Sequence, residues 1–215
     1  MTPAGTPAPS WPPELPLVAI LRGLQPERAA EVARVLFDAG FRALEVPLNR
    51  PGAIAAIATL VPLAPADAWI GAGTVLDTVQ VDAVADTGAR LIVSPHYDAE
   101  IVRRARERGL RAVPGVFTAT EAFAAWREGA AALKIFPAEA MTHAGLTGLT
   151  TVLPRDLPLW PVGGIVADNI AAWRRAGATG FGLGGGLFKP DMTTLEIASR
   201  ARAYVDAWNA GVPAA

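Results

Sequence analysis

Lysine is scarce in this chain: against 17 arginines there are two, and one of them, Lys134, sits inside the apolar run ALKIFP. Strand side chains alternate, so Leu133 and Ile135 share one face while Lys134 and Phe136 share the other. The aliphatic pair belongs against a layer of helices, which turns Lys134 inward. Burying an ammonium is costly, and lysine is rarely fully buried without a partner. Two readings stand open. One is a structural ion pair, or a stem snorkelling to the rim. The other is an amine whose pKa is lowered by desolvation and nearby cations until a neutral fraction can attack a carbonyl. The run ALEVPL obeys the same parity: Leu44, Val46 and Leu48 take one face and leave Glu45 pointing inward. As a structural group Glu45 would pair with Arg22 or Lys134. As a catalyst it would shuttle protons, its pKa raised by burial or lowered by those cations.

Other polar residues stand at the ends of apolar runs. Arg22, closing LVAILRG, can grip a carboxylate or phosphate bidentately, or lie solvated at a strand end. Thr74 in GAGTV offers a hydroxyl, though threonine is common in strands. The turns VGGI (162–165) and LGGG (183–186) expose backbone N–H groups and let an anion approach closely, which suits a phosphate. Lys189, beside Pro190, reads as a solvated surface lysine, and His96 and His143 as ordinary polar or helix-end residues.

Eight short runs must position these groups: LVAIL (17–21), ALEVPL (43–48), WIGAGTV (69–75), LIVSP (91–95), RAVPGV (111–116), ALKIFP (132–137), LWPVGGI (159–165) and GFGLGGG (180–186). They lack polar alternation, as parallel strands covered on both sides should. Alanine-rich, helix-like segments lie between them, and Gly40, Gly88, Gly109, Gly129 and Gly177 each close one before the next run, where a left-handed C-cap is needed. Strand and helix alternate every 20–25 residues or so, which is βα repetition. The reading is a single-domain α/β chain over residues 15–211, folded as a (β/α)8 TIM barrel with Lys134 on its sixth strand. Its site would lie at the C-terminal strand ends, with phosphate near the last two. An open doubly wound sheet would carry a Gly-x-Gly-x-x-Gly turn after the first strand, and that turn is missing.

Residues 1–14, MTPAGTPAPSWPPE, are too rich in proline for helix or central strand and have neither a basic start nor an apolar run. They read as a flexible proline-rich arm rather than a leader or an anchor. No run approaches the roughly 18 apolar residues of a spanning helix, which points to the cytoplasm. With 52% apolar residues, 18% charged and a formal net charge of −1, nothing suggests a polyanion-binding surface, so no nucleic-acid partner is expected. The absence of cysteine excludes disulfides, thiolate metal sites and thiol nucleophiles, and two separated histidines do not make a metal cluster.

In order along the chain, LVAILRG, LEVPLN, GAGTV, LIVSP, VPG, TATEAF, ALKIFP, VGGI and GLGGGLF resemble the 2-keto-3-deoxy-6-phosphogluconate and 6-phosphogalactonate aldolase family, over about Leu15 to Ala207. The resemblance implies Lys134 as the imine-forming residue and Glu45 as the proton shuttle. It also implies substrate contacts from Arg22, Thr74 and Phe136, and phosphate binding by Gly163, Gly164, Gly184 and Gly185. Gluconate enzymes typically read LEVTLRT and PTGGI where this chain reads LEVPLNR and PVGGI. Asn49 thus replaces their arginine and Val162 their threonine, and Arg22 stands at a strand end where they lack it. That combination resembles the galactonate branch. One departure runs the other way: Gly184-Gly185 replaces an expected Gly-Ser, and the lost hydroxyl would weaken phosphate binding.

What the resemblance implies is a class I aldolase that cleaves 2-dehydro-3-deoxy-6-phosphogalactonate to pyruvate and D-glyceraldehyde 3-phosphate. No metal or cofactor is expected, because an iminium supplies the electron sink a Lewis acid would otherwise supply. The expected partners are the phosphorylated keto-deoxy sugar acid and, by resemblance alone, two further copies in a homotrimer. Rival readings are the same chemistry on the C4-epimeric gluconate, a non-catalytic phosphosugar binder, and a sugar-phosphate epimerase. A binder needs no amine beside a carboxylate, and an epimerase needs a second inward acid, which the runs do not offer.

Overall fold

The computed structural model describes residues 10–211. Every apolar run becomes a strand, and every assigned pairing is parallel. The strands are β1 (Leu17–Ile20), β2 (Ala43–Pro47), β3 (Trp69–Gly73), β4 (Leu91–Val93), β5 (Arg111–Val113), β6 (Gly115–Val116), β7 (Leu133–Ile135), β8 (Leu159–Pro161) and β9 (Phe181–Leu183). Helices alternate with them: α1 (Pro26–Asp38), α2 (Ala53–Leu60), α3 (Thr78–Asp86), α4 (Ala99–Glu107), α5 (Ala119–Arg127), α6 (His143–Thr150), α7 (Ile170–Arg175) and α8 (Thr194–Asn209). The five glycines that precede strands all have positive φ, between 75° at Gly109 and 110° at Gly177, which is why each helix can stop and turn back there.

The expectation of a closed eight-stranded (β/α)8 TIM barrel is corrected. Nine strands form two sheets: six in the order β5-β4-β3-β2-β1-β9, and three in the order β6-β7-β8. The break falls within the fifth apolar run, RAVPGV, where Pro114 separates β5 from β6. Proline has no N–H to donate to a ladder, although the Pro114 carbonyl still accepts from Lys134 N at 2.9 Å. On the other side no continuous ladder joins the sheets, which meet at an isolated bridge, Val162 to Gly182, and at Thr179 N, which donates to Leu159 O at 3.0 Å. Lys134 consequently lies on the seventh strand, in the smaller sheet, while Glu45 lies in the larger.

Two apolar layers show which way each strand faces. Leu44, Val46, Leu133 and Ile135 pack in the large core together with helix residues such as Leu36, Ile57 and Leu146. Val18, Ala43, Trp69, Leu91, Val113, Ala132 and Trp160 form a second cluster drawn from both sheets, the interior between them. Of the arm expected over residues 1–14, residues 1–9 lie outside the described residues. The rest is fastened to the interior by Trp11, whose ring packs edge-on against Trp69 (centroids 5.1 Å) and tilted against Trp160 (5.2 Å). Its Nε1 donates to Ala131 O at 2.8 Å, and Trp69 Nε1 donates to Ser10 O at 3.0 Å. Trp11 and Trp69 bury a large area and still satisfy their N–H groups, which suits them to close one end of the interior, whereas the Trp160 Nε1 beneath them is buried without a partner.

Candidate active site

Among the described residues three polar or charged side chains are buried: Glu45 (2% exposed), Lys134 (7%) and Ser94 (2%). Ser94 is accounted for locally, its Oγ donating to His96 O at 2.7 Å. Glu45 and Lys134 are not. Register puts Glu45 beside Ile20 and Gly71 on neighbouring strands, and Lys134 beside Gly115 and Trp160. Both are on the inner face and line one interior cavity with Ile20, Val93, Val113 and Val162. No ion pair joins them among the described residues, and Glu45 Oε2 is buried without a hydrogen-bond partner. A bare carboxylate oxygen in an apolar wall is expensive, so the site holds an unmet acceptor ready for a ligand proton.

The electrostatics follow from that burial. Desolvation pushes the Glu45 pKa from 4.5 up to about 7, with the Lys134 and Arg22 charges pulling it back down. Desolvation is also the leading cause lowering the Lys134 ammonium from its ordinary 10.5. Glu45 opposes that shift and the Arg22 cation adds to it. Near neutral pH the pair therefore offers a carboxyl that can both take and give a proton and an amine that loses its proton more easily than in water. Burial settles the question left open by sequence: for Glu45 desolvation outweighs its two cations.

Arg22 stands two residues past the end of β1, and its Nη1 donates to Asn49 Oδ1 at 2.8 Å. Two residues singled out separately in the sequence are thus one hydrogen-bonded unit at the rim. Phe136 lies under the amine, with Lys134 Nζ 4.4 Å from its ring centroid. An aromatic face favours the cation modestly, and it fixes the stem against one wall. Thr74, just past β3, is the sole described non-glycine residue with positive φ (55°). That region is disfavoured for a β-branched residue, so the turn there holds local strain beside the carboxylate. Val162 continues β8 into the first glycine turn, where Gly163 (φ 110°) and Gly164 (φ 64°) take backbone conformations that L side chains rarely adopt. A Cβ at Gly184 or Gly185 would meet nothing within 4 Å, so the second glycine turn is open to an approaching group. His96 is exposed, His143 stacks edge-on to Trp173, and Lys189 is exposed, and none of the three lines the cavity that holds the buried pair.

Gly73 carries a role that the sequence reading did not assign. A Cβ there would land on the Glu45 carboxylate, and one at Gly71 would collide with Leu91 O. The signal was present as two glycines two residues apart in GAGTV, on the inward parity of β3. Gly73 is outside the left-handed region, so alanine is permitted by the backbone and its whole cost falls on Glu45. Gly73→Ala is expected to lower kcat by on the order of tenfold to a hundredfold, since displacing a reacting group by about 1 Å can cost that much. A variant within twofold of wild type would mean that the glycine serves packing alone.

A family model described as KDPG and KHG aldolase matches residues 12–200. A protein of Rhizobium meliloti (strain 1021) named as a probable 2-dehydro-3-deoxy-6-phosphogalactonate aldolase is 47% identical over 199 residues, covering 93% of this chain and 94% of its own. A solved structure described as native KDPGal superposes with a TM-score of 0.91 at 44% identity, covering 93% of this chain and 97% of that one. The KDPG aldolase of Legionella pneumophila, solved with pyruvate captured at low pH as a covalent carbinolamine, superposes with a TM-score of 0.77 at 28% identity, over 88% and 94% of the two chains.

Proposed function

Because the chain belongs to the KDPG and KHG aldolase family, we propose that it is a Schiff-base enzyme cleaving 2-dehydro-3-deoxy-6-phosphogalactonate to pyruvate and D-glyceraldehyde 3-phosphate. The observation that carries this reading is the buried, unbridged pair of Lys134 and Glu45 with its opposed pKa shifts. Lys134 as the free amine attacks the C2 ketone and forms a carbinolamine. Glu45 gives a proton to the departing hydroxyl, and water leaves to yield the protonated imine. Glu45, now a carboxylate, takes the C4 hydroxyl proton directly or through water. The C3–C4 bond breaks, its electron pair moves into the iminium, and D-glyceraldehyde 3-phosphate departs. Protonation of the enamine at C3 and hydrolysis of the imine then release pyruvate and restore the lysine.

The same reading assigns the surrounding residues. Arg22 takes the substrate's carboxylate or a sugar hydroxyl, held by Asn49. Thr74 lends its hydroxyl, and Phe136 packs beside the imine. Gly163, Gly164, Gly184 and Gly185 receive the phosphate on backbone N–H groups. Val162 presents methyls beside Lys134 where a threonine would offer a hydroxyl, which bears on the C4 epimer accepted. The homotrimer and the cytoplasm belong to this proposal as well: a phosphate ester dianion does not cross a bilayer unaided, so the enzyme meets its substrate where the substrate is made. No helix among the described residues is long and apolar enough to cross a membrane.

Two measurements test the reading. Pyruvate with borohydride should add one reduced pyruvyl group to Lys134, and mass spectrometry that finds this lysine unmodified under turnover conditions removes the mechanism. Comparing kcat/KM for the two C4 epimers should favour the galactonate compound by about tenfold or more, a difference worth about 1.4 kcal/mol. Preference for the gluconate epimer would move the chain to the other branch without touching the chemistry.

A further inference from the structure

The two glycine turns lie on different loops, one after β8 and one after β9, and an anion shared between them needs their separation fixed. Helix α8 touches both. Tyr204, 3% exposed, donates its hydroxyl hydrogen bond to Ile165 O at 3.0 Å, at the close of the VGGI turn. The same hydroxyl oxygen fills the space where a Cβ on Gly186 would stand, so it abuts the LGGG turn as well. One helical turn earlier on α8, Arg200 Nη1 donates to Gly186 O at 2.9 Å. Residues four apart on a helix present to the same side, so the two grips act together. The second turn is closed on itself by Leu187 N and Phe188 N, which both donate to Gly184 O, at 2.8 and 3.0 Å. Asn169 Nδ2 donates to Gly164 O at 2.8 Å and closes the first. Each turn is thus internally braced, and Tyr204 is the side chain that reaches from one to the other. A phenylalanine would fill the same core volume. The hydroxyl is needed only to hold Ile165 O.

We propose that Tyr204 and Arg200 are positioning residues for a phosphate seat built from both glycine turns, holding the turns at the spacing a phosphate ester requires. The proposal rests on the reading of those turns given above, and its test separates the two. Wild type, Tyr204→Phe and Arg200→Met are compared by kcat and KM on the 6-phosphorylated sugar acid and on the same acid lacking the phosphate. Thermal unfolding and borohydride labelling of Lys134 by pyruvate are followed in parallel. Losing one hydrogen bond that aligns an anion site is worth about a three- to tenfold change. The expected result is that KM for the phosphorylated substrate rises by about that factor in each variant while its kcat changes less than twofold. Turnover of the unphosphorylated acid and the labelling rate should move less than twofold. A wild type that does not prefer the phosphorylated substrate overturns the phosphate seat, and the proposal with it. If wild type shows the preference and both variants retain it in full, the seat stands and the proposal is overturned, whatever happens to the melting temperature. Arg200 is exposed, so its variant keeps the test decisive even if Tyr204→Phe unfolds.

Discussion

Lys134→Arg and Lys134→Met should both abolish cleavage, with kcat down by on the order of 10⁴-fold or more, as expected when a covalent nucleophile is removed. The arginine variant is the informative one. Guanidinium keeps the positive charge opposite Glu45 but stays protonated at any pH a protein survives, so it cannot attack a ketone. Were Lys134 there to neutralise a buried carboxylate, arginine would preserve much of its function and methionine would not. Methionine fills the volume without charge and tests packing. Steady-state assay of both epimers with each variant distinguishes the two readings, and substantial activity in Lys134→Arg would end the Schiff-base assignment. The depressed pKa of Lys134 adds a pH signature. Pyruvate–borohydride labelling should reach half its maximal rate below the ordinary lysine value of 10.5, because burial disfavours the ammonium. A labelling midpoint near that ordinary value would show that burial does not activate the amine.

Glu45→Gln should lower kcat by about 10²- to 10⁴-fold, the usual scale for losing a positioned proton shuttle. It should also make the protein more stable at alkaline pH. The folded-state pKa of about 7 lies above the ordinary 4.5, so between those values the folded chain holds a proton that the unfolded chain has released. Stability therefore falls as pH rises from about 4.5 to about 7 and stays at the lower level above that range. A gap of about 2.5 pH units corresponds to about 3 kcal/mol, which the neutral isostere can recover in part. Denaturant midpoints at pH 5 and pH 8 check this. The variant should gain about 1–3 kcal/mol over wild type at pH 8 and little at pH 5. In the wild-type kcat/KM profile a limb near pH 7 reports the same group, and it should vanish in Glu45→Gln. Equal stability of the two proteins at both pH values would mean that Glu45 is not desolvated in solution. Loss of activity together with gained stability is the expected mark of a residue kept for chemistry against the preference of the fold.

Much of the fold and the reactive pair could be read from the chain itself. Strand parity is local, so ALKIFP and ALEVPL were enough to place Lys134 and Glu45 on faces opposite their aliphatic neighbours, and the structure puts those neighbours against the helices. Alternation of strand and helix was equally local, announced by each run and, before five of them, by a glycine. Order along the chain carried the family, since motifs at matching spacings are a property of sequence.

The rest needed distances between residues remote in the chain. Whether parallel strands close into one ladder depends on every junction, and Pro114 opens one of them within a run that reads as continuous. Nothing local set Gly73 apart, and its role appears only with Glu45 packed over it from the neighbouring strand. Trp11 looked like part of a loose arm, and its indole turned out to pack on Trp69 and Trp160, residues 58 and 149 positions away. Arg22 and Asn49 were separate candidates until one hydrogen bond joined them. The sequence determined which groups face the interior, because side-chain direction repeats every two residues along a strand. Only the tertiary structure decided what those groups become there. Desolvation, charge and shape are set by neighbours that the chain brings together from afar, and it is those neighbours that lift Glu45 to about 7 and depress Lys134.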